Sequence, residues 1–343
     1  MGRLKNKLLV AGLMTTLVWS GSMSITQALP DVTVGSTPVK FTQQHNNWKI
    51  AGNLYMPKNY VQGKKYPALV VVHPGGGVKE QTSGLYAMKL AAKGFITLAF
   101  DASHQGASEG EPRLIEIPTE RVEDIKSAVD YLMTLPQVDV DKIGVVGVCA
   151  GSGYSINAAQ IERRIKAVAT VSGVDIGNIA RMGWDGKSGS VQAQIEALEA
   201  IAAQRTAEAN GAPIKYNHIV PEQDEITKDT DNDMVEASNY YRTSRGQHKN
   251  SPNLAMFSGG DSVFAYHAFA DMETLLTQPI LLIAGTKANS LWQSELAYDK
   301  ATAAKSRELY KVDGATHMDF YDVEKYVNLA VEKMTTFFNK NLK

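Results

Sequence analysis

The run Gly147-Val148-Cys149-Ala150-Gly151, directly after the apolar Ile143-Gly144-Val145-Val146, constrains the fold more than any other stretch of this chain. A reactive side chain between two glycines, with a buried strand before it and a helix expected over about 151–161, describes a nucleophile elbow carrying sulfur in place of the usual serine oxygen. The turn is so tight that the residues two before and two after the nucleophile must be small. The five-residue pattern alone is a weak signal. The elements on either side and a correctly placed downstream histidine give it weight.

Around the elbow, extended and helical patterns alternate. Two short extended segments, 39–43 and 48–55, flank the turn-prone His45-Asn46-Asn47. The stretch Tyr66-Pro67-Ala68-Leu69-Val70-Val71-Val72-His73 is too continuously β-branched to face water on one side, so it reads as a buried strand. A helix over about 81–93 and a strand over 95–100 follow. The helix expected over 120–135 carries Val122, Ile125, Ala128, Val129 and Leu132 at helical spacing. After the elbow come strands at 165–172, 280–284 and 309–312, with helices at 293–304 and 323–339. Strands alternating with helices of this length predict an α/β fold, a mostly parallel sheet covered on both faces. Residues 175–276 break the rhythm. They hold a helix with Val191, Ile195, Leu198 and Ile201 on one face, an acidic polar stretch, and aromatic residues around Tyr240 and Tyr241. An insertion of that size is expected to form a lid over the carboxyl ends of the strands, where open α/β sheets bind ligands.

The first residues predict an export signal over 1–28. Arg3, Lys5 and Lys7 precede an apolar stretch from Leu8 to Trp19, and Thr26-Gln27-Ala28 supplies small residues for cleavage. The apolar stretch is short for a membrane span. The expectation is therefore a periplasmic or secreted protein without stable membrane insertion, a single domain over 29–343. Loss of the signal takes 3 of the 35 basic residues and leaves 32 against 36 acidic ones. No basic patch stands out, which argues against nucleic acid as a partner. A lone cysteine forms no intrachain disulfide, and in an oxidising compartment it is a liability that its place on the elbow would explain.

A cysteine nucleophile needs a base, a group that orients the base, and donors for the developing oxyanion. Of the seven histidines, His317 alone stands after the last strand, as the order nucleophile, acid, histidine demands. The orienting residue should follow the strand at 280–284, where Asn289 occupies the slot expected of an aspartate. An asparagine can accept from the imidazole N–H without supplying charge, and Glu295 is a second candidate. For the oxyanion, the Ala150 N–H is aimed by the elbow itself. Its partner is expected among the glycines of His73-Pro74-Gly75-Gly76-Gly77, with Gly76 favoured and Gly77 next. Tyr240, Tyr241, Trp184 and Trp292, with Phe264, are candidate pocket residues. No metal site is expected. Asp229-Thr230-Asp231-Asn232-Asp233 opens like a calcium loop, but Met234 stands where the glycine is required and Tyr240 where the closing glutamate belongs.

These residues, taken with Asp101 to Ser108 and Gly314 to Asp322, resemble the dienelactone hydrolase-like branch of the α/β-hydrolase superfamily. The resemblance implies an eight-stranded sheet, a Cys-His-acid triad, no metal or organic cofactor, and hydrolysis of esters or lactones; the expected reaction is attack of Cys149 on the carbonyl of a small-molecule ester, lactone or thioester. Related branches include acyl transferases. A departure is the asparagine at 289, which also fits a hydrolase-fold binding protein with a weakened triad. Pro74 stands where the dienelactone hydrolases carry a glutamate that contacts the resting thiol.

Overall fold

The computed structural model describes residues 35–343, so the expected leader at 1–28 lies outside the described residues. Ten strands follow in chain order: β1 (Ser36–Thr42), β2 (Lys49–Tyr55), β3 (Tyr66–Val72), β4 (Ile96–Phe100), β5 (Val138–Val148), β6 (Ile165–Val171), β7 (Tyr216–His218), β8 (Leu254–Met256), β9 (Ile280–Gly285) and β10 (Arg307–Val312). Eight of them form one sheet in the order β1-β2-β4-β3-β5-β6-β9-β10. The β1–β2 and β2–β4 pairings are antiparallel and the rest are parallel. This is the α/β-hydrolase fold.

The continuous apolar reading of β3 has a direct structural cause. Ala68, Val70 and Val72 enter the core on one face of the sheet, while Leu69 and Val71 enter the core on the other. Successive side chains of a strand point to opposite faces, so a strand buried on both sides cannot alternate with polar residues. Helices Pro118–Met133 and Ala150–Ile161 cover the first face, and Thr82–Ala92 and Glu324–Asn341 the second. Gly144 sits where a Cβ would lie 2.7 Å from Phe338 and 2.8 Å from Leu69, so the central strand meets its covering helix only through a glycine.

Between β6 and β9 the chain leaves the main sheet and builds helices Ile176–Met182, Val191–Ala209 and Asn232–Arg242 with the antiparallel ribbon β7–β8. The apolar face expected on the longest of these is mostly uncovered. Ile201 is buried, whereas Val191, Ile195 and Leu198 are exposed. Among the described residues no helix is long and apolar enough to cross a membrane.

Candidate active site

Strand β5 ends at Val148 and the helix begins at Ala150, which leaves Cys149 alone to make the turn. Its backbone is at φ 53 and ψ −123, a region in which a residue with a Cβ is strained. The neighbours hold it there: the Cys149 N–H donates to Val171 O (3.0 Å), and its carbonyl accepts from Ser152 (2.9 Å) and Val174 (3.1 Å). The small flanking residues are obligatory. A Cβ on Gly147 would fall 2.4 Å from Gly151 O, and one on Gly151 would fall 2.4 Å from Val72 O.

Cys149 opens into a cavity of about 340 Å³ that it shares with His317, Gly75 and Ala150. Burial pushes the thiol up. Hydrogen bonds from the Tyr321 hydroxyl and from the Ala150 and Gly75 N–H groups pull it back, while the Asp233 carboxylate raises it further. The expected loop of glycines is present, and Gly75 is its member on the cavity wall. Pro74 to Gly77 form a turn in which the Gly77 N–H donates to Pro74 O (3.1 Å), and Gly76 takes the positive φ of 70 that such a turn needs. Gly77 is thus already committed, and the Gly76 carbonyl is held by Ser251 Oγ (2.6 Å). Gly75 is the glycine of this loop that lines the cavity beside Ala150, and its N–H helps to lower the thiol.

His317 is buried in the loop after β10. Its carbonyl accepts from Ser172 Oγ (3.0 Å), and its Nδ1 lies 2.7 Å from Ser290 Oγ. Nε2 has no hydrogen-bond partner. Desolvation lowers the imidazole to about 3, so the ring is neutral at ordinary pH, and no carboxylate offsets that burial. The role expected of Asn289 is not what its position provides. Its side-chain Nδ2 donates to Asp231 (2.6 Å) and its backbone N–H to Asp233 (2.9 Å), both in the insertion, while the neighbouring Ser290 faces the histidine. Glu295 pairs with Lys311 at the surface and plays no part in the site.

The cavity walls are mostly apolar and come largely from the insertion, including Ile179, Ile219, Val220 and Met234. Of the expected pocket residues, Trp184 and Tyr241 line it. Trp184 packs edge-on against His317 at 5.0 Å between ring centroids. Trp292 stands behind, donating from Nε1 to Trp184 O (3.0 Å). Tyr240 lies to the side, edge-on to Tyr241 and Tyr321 and lining a separate polar cleft. Phe264 is replaced on the wall by its neighbour Val263. Tyr321, Ser290 and Asp233 line or adjoin the site but were not among the sequence candidates, and Gly75 was there only as an unfavoured member of its glycine loop. Tyr321 follows His317 by four residues, and its ring packs near the imidazole at 5.8 Å between centroids. The acidic stretch that imitates a calcium loop is engaged elsewhere: Asp231 caps its helix and holds Asn289, and Asp233 holds Trp184. Among the described residues no group of three or more His, Cys, Asp or Glu is placed to hold a metal ion.

A strained cysteine on a strand-to-helix turn, a histidine after the last strand, and a glycine loop after β3 are the arrangement of an α/β-hydrolase. The dienelactone hydrolase family model matches residues 50–244, and the chain belongs to that family of ester-bond hydrolases acting on small molecules. It is 42% identical over 306 residues to YcjY of Escherichia coli K12, covering 89% of this chain and 98% of that one. The crystal structure of PA2218 from Pseudomonas aeruginosa superposes with a TM-score of 0.83 at 32% identity, covering 97% of this chain and all of the other. More distant relatives include the thiohydrolase aneE of Aspergillus aculeatus, 26% identical over 78% of this chain and 83% of that protein. The acyltransferase drtE of Aspergillus calidoustus is 25% identical over 82% and 89%.

Proposed function

We propose that the protein cleaves a carboxylic ester, lactone or thioester through a covalent thioester on Cys149. One observation carries the reading: Cys149, the unpartnered Nε2 of His317, and the N–H groups of Gly75 and Ala150 face one apolar cavity. With Nδ1–H donating to Ser290 Oγ, the tautomer this mechanism uses leaves a lone pair on Nε2. At rest the pair is a neutral thiol and a neutral imidazole, because burial disfavours the charged form of each.

In the first step the sulfur attacks the carbonyl carbon while Nε2 takes the thiol proton. The carbonyl oxygen becomes an oxyanion held by the Gly75 and Ala150 N–H groups. Collapse of the tetrahedral species breaks the bond to the leaving oxygen or sulfur, which takes the proton from Nε2. Water then attacks the thioester with Nε2 as base, and the acid departs as Cys149 recovers its proton. Tyr321 donates to the sulfur as charge develops there. A relay of cysteine, histidine and serine needs no carboxylate at position 289, so the asparagine there is no argument for a decayed enzyme.

Transfer of the acyl group to an acceptor other than water is the second reading, supported by the apolar walls around the thioester and by the relationship to an acyltransferase. The segment over 175–276 is proposed to act as the lid of this cavity. Export to the periplasm or medium through cleavage after residue 28 completes the proposal, and amino-terminal sequencing of the exported protein would check it. The activity is tested by hydrolysis of a series of short acyl thioesters and aryl esters, with and without an added alcohol or amine. Turnover that vanishes in Cys149→Ala supports the reading. Equal turnover in that variant removes it.

A further inference from the structure

Among the described residues that line the catalytic cavity, Asp233 is the only one with a carboxylate or a cationic side chain. The steps above leave it unused. It is 1% exposed and sits in the first turn of the helix Asn232–Arg242. Its Oδ2 is fully engaged, accepting from Trp184 Nε1 (2.9 Å) and from the Asn289 N–H (2.9 Å). Its Oδ1 is buried and has no partner at all. Among the described residues no lysine or arginine pairs with it. A buried acceptor without a donor is costly, and natural proteins rarely keep one unless something else fills the gap. The carboxylate lies close enough to Cys149 for its charge to be felt at the sulfur. Asp233 is thus a fixed carboxylate on the wall of a mostly apolar chamber, within the field of Cys149.

We propose that Asp233 Oδ1 is a specificity-determining acceptor for an O–H or N–H donor on the acyl part of the substrate. The preferred substrates are then hydroxyacyl or aminoacyl esters and thioesters in place of plain aliphatic ones. This rests on the reading that Cys149 carries the acyl group in this cavity. The acyl part is singled out because it stays in the chamber through both chemical steps, so a contact to it acts on each.

The test uses thioesters of one chain length that are plain, hydroxy-, amino- or oxo-substituted, with the substituent walked along the chain. Substrates are compared by ratios of kcat/KM, which a general loss of rate does not move. The wild-type protein should favour a hydroxyacyl or aminoacyl member over the plain one by roughly tenfold or more at the best position. The informative variant is Asp233→Asn. The two N–H groups on Oδ2 fix the amide oxygen on their side, so the amide NH2 takes the place of Oδ1 and the cavity acceptor becomes a donor. Trp184 and Asn289 keep their bonds. The variant should lose the preference for donors and favour the oxoacyl member. Preference for the hydroxy series identifies the donor as an alcohol, and preference for the amino series as an ammonium; either supports the proposal. Cys149-dependent hydrolysis with no preference at any position overturns it and leaves the catalytic reading standing, as does an unchanged preference in Asp233→Asn. Absence of Cys149-dependent turnover on every member overturns both.

Discussion

Replacing Ser290 by alanine should lower kcat/KM by roughly 10- to 150-fold. The figure follows from what Ser290 does: it is the one partner of His317 Nδ1, at 2.7 Å, in a fully buried setting. A hydrogen bond to a charged group contributes about 1.5–3 kcal/mol, and the ring is charged only after it has taken the thiol proton. Each 1.4 kcal/mol is about a factor of ten in rate, so the loss falls mainly on the chemical step. The structure supplies a control next door. Asn289→Ala removes an exposed bond to Asp231 but keeps the backbone N–H on Asp233, so it should stay within about threefold of wild type. Steady-state kinetics on one thioester separates the two, with KM little changed in Ser290→Ala. Melting temperatures would show whether the variant is folded. A Ser290→Ala protein with wild-type kcat beside a crippled Asn289→Ala protein would refute the assignment of Ser290.

Two further outcomes follow from the same geometry. Gly151→Ala should cost well over 1 kcal/mol of stability, because the clash is with the backbone of Val72 and not with a side chain that can swing away. Gly75→Ala should fold normally, since its Cβ would meet Ala150 at an ordinary 3.7 Å; equal melting temperatures for the two variants would contradict this. The second concerns pH. With His317 lowered to about 3 in the folded protein, the unfolded chain binds the extra proton as pH falls through 6.5. Stability attributable to this group is thus complete above 6.5, declines below it, and is about 2 kcal/mol lower at pH 5 than at pH 7. Urea unfolding of wild type and His317→Gln at both pH values isolates it, because His73 and the buried carboxylates act alike in each. The stability difference between the two proteins should shift by about that amount, and a constant difference would show that the ring is not buried neutral.

The parts of the fold legible in the sequence are those set by local pattern. Strands β3 and β5 declare themselves because burial on both faces forces unbroken β-branched runs, and the elbow because its clashes leave room only for glycine. The site was legible as far as chain order goes, which placed Cys149 and His317. Its remaining members depend on contacts between distant segments. Asn289 and Ser290 are adjacent and both polar, and spacing cannot say which turns inward. Asp231 and Asp233, more than fifty residues earlier, draw Asn289 outward. Sequence favoured Gly76 and then Gly77, but the turn closed by Pro74 O takes up the Gly77 N–H, and it is Gly75 that lines the cavity. In the insertion, the apolar stripe on the helix Val191–Ala209 indicated burial that only Ile201 receives.

The central claim is that Cys149 forms the covalent intermediate, and it can be read directly by acid-quenching the protein within its first turnovers on an activated acyl thioester and measuring intact and peptide mass. The account requires a mass increase equal to the acyl group, located on the peptide that contains Cys149 and absent from Cys149→Ala. His317→Ala should slow both the appearance and the decay of that species. Rapid turnover with no acyl group on Cys149 at any quench time, or an acyl group carried on another residue, would contradict it.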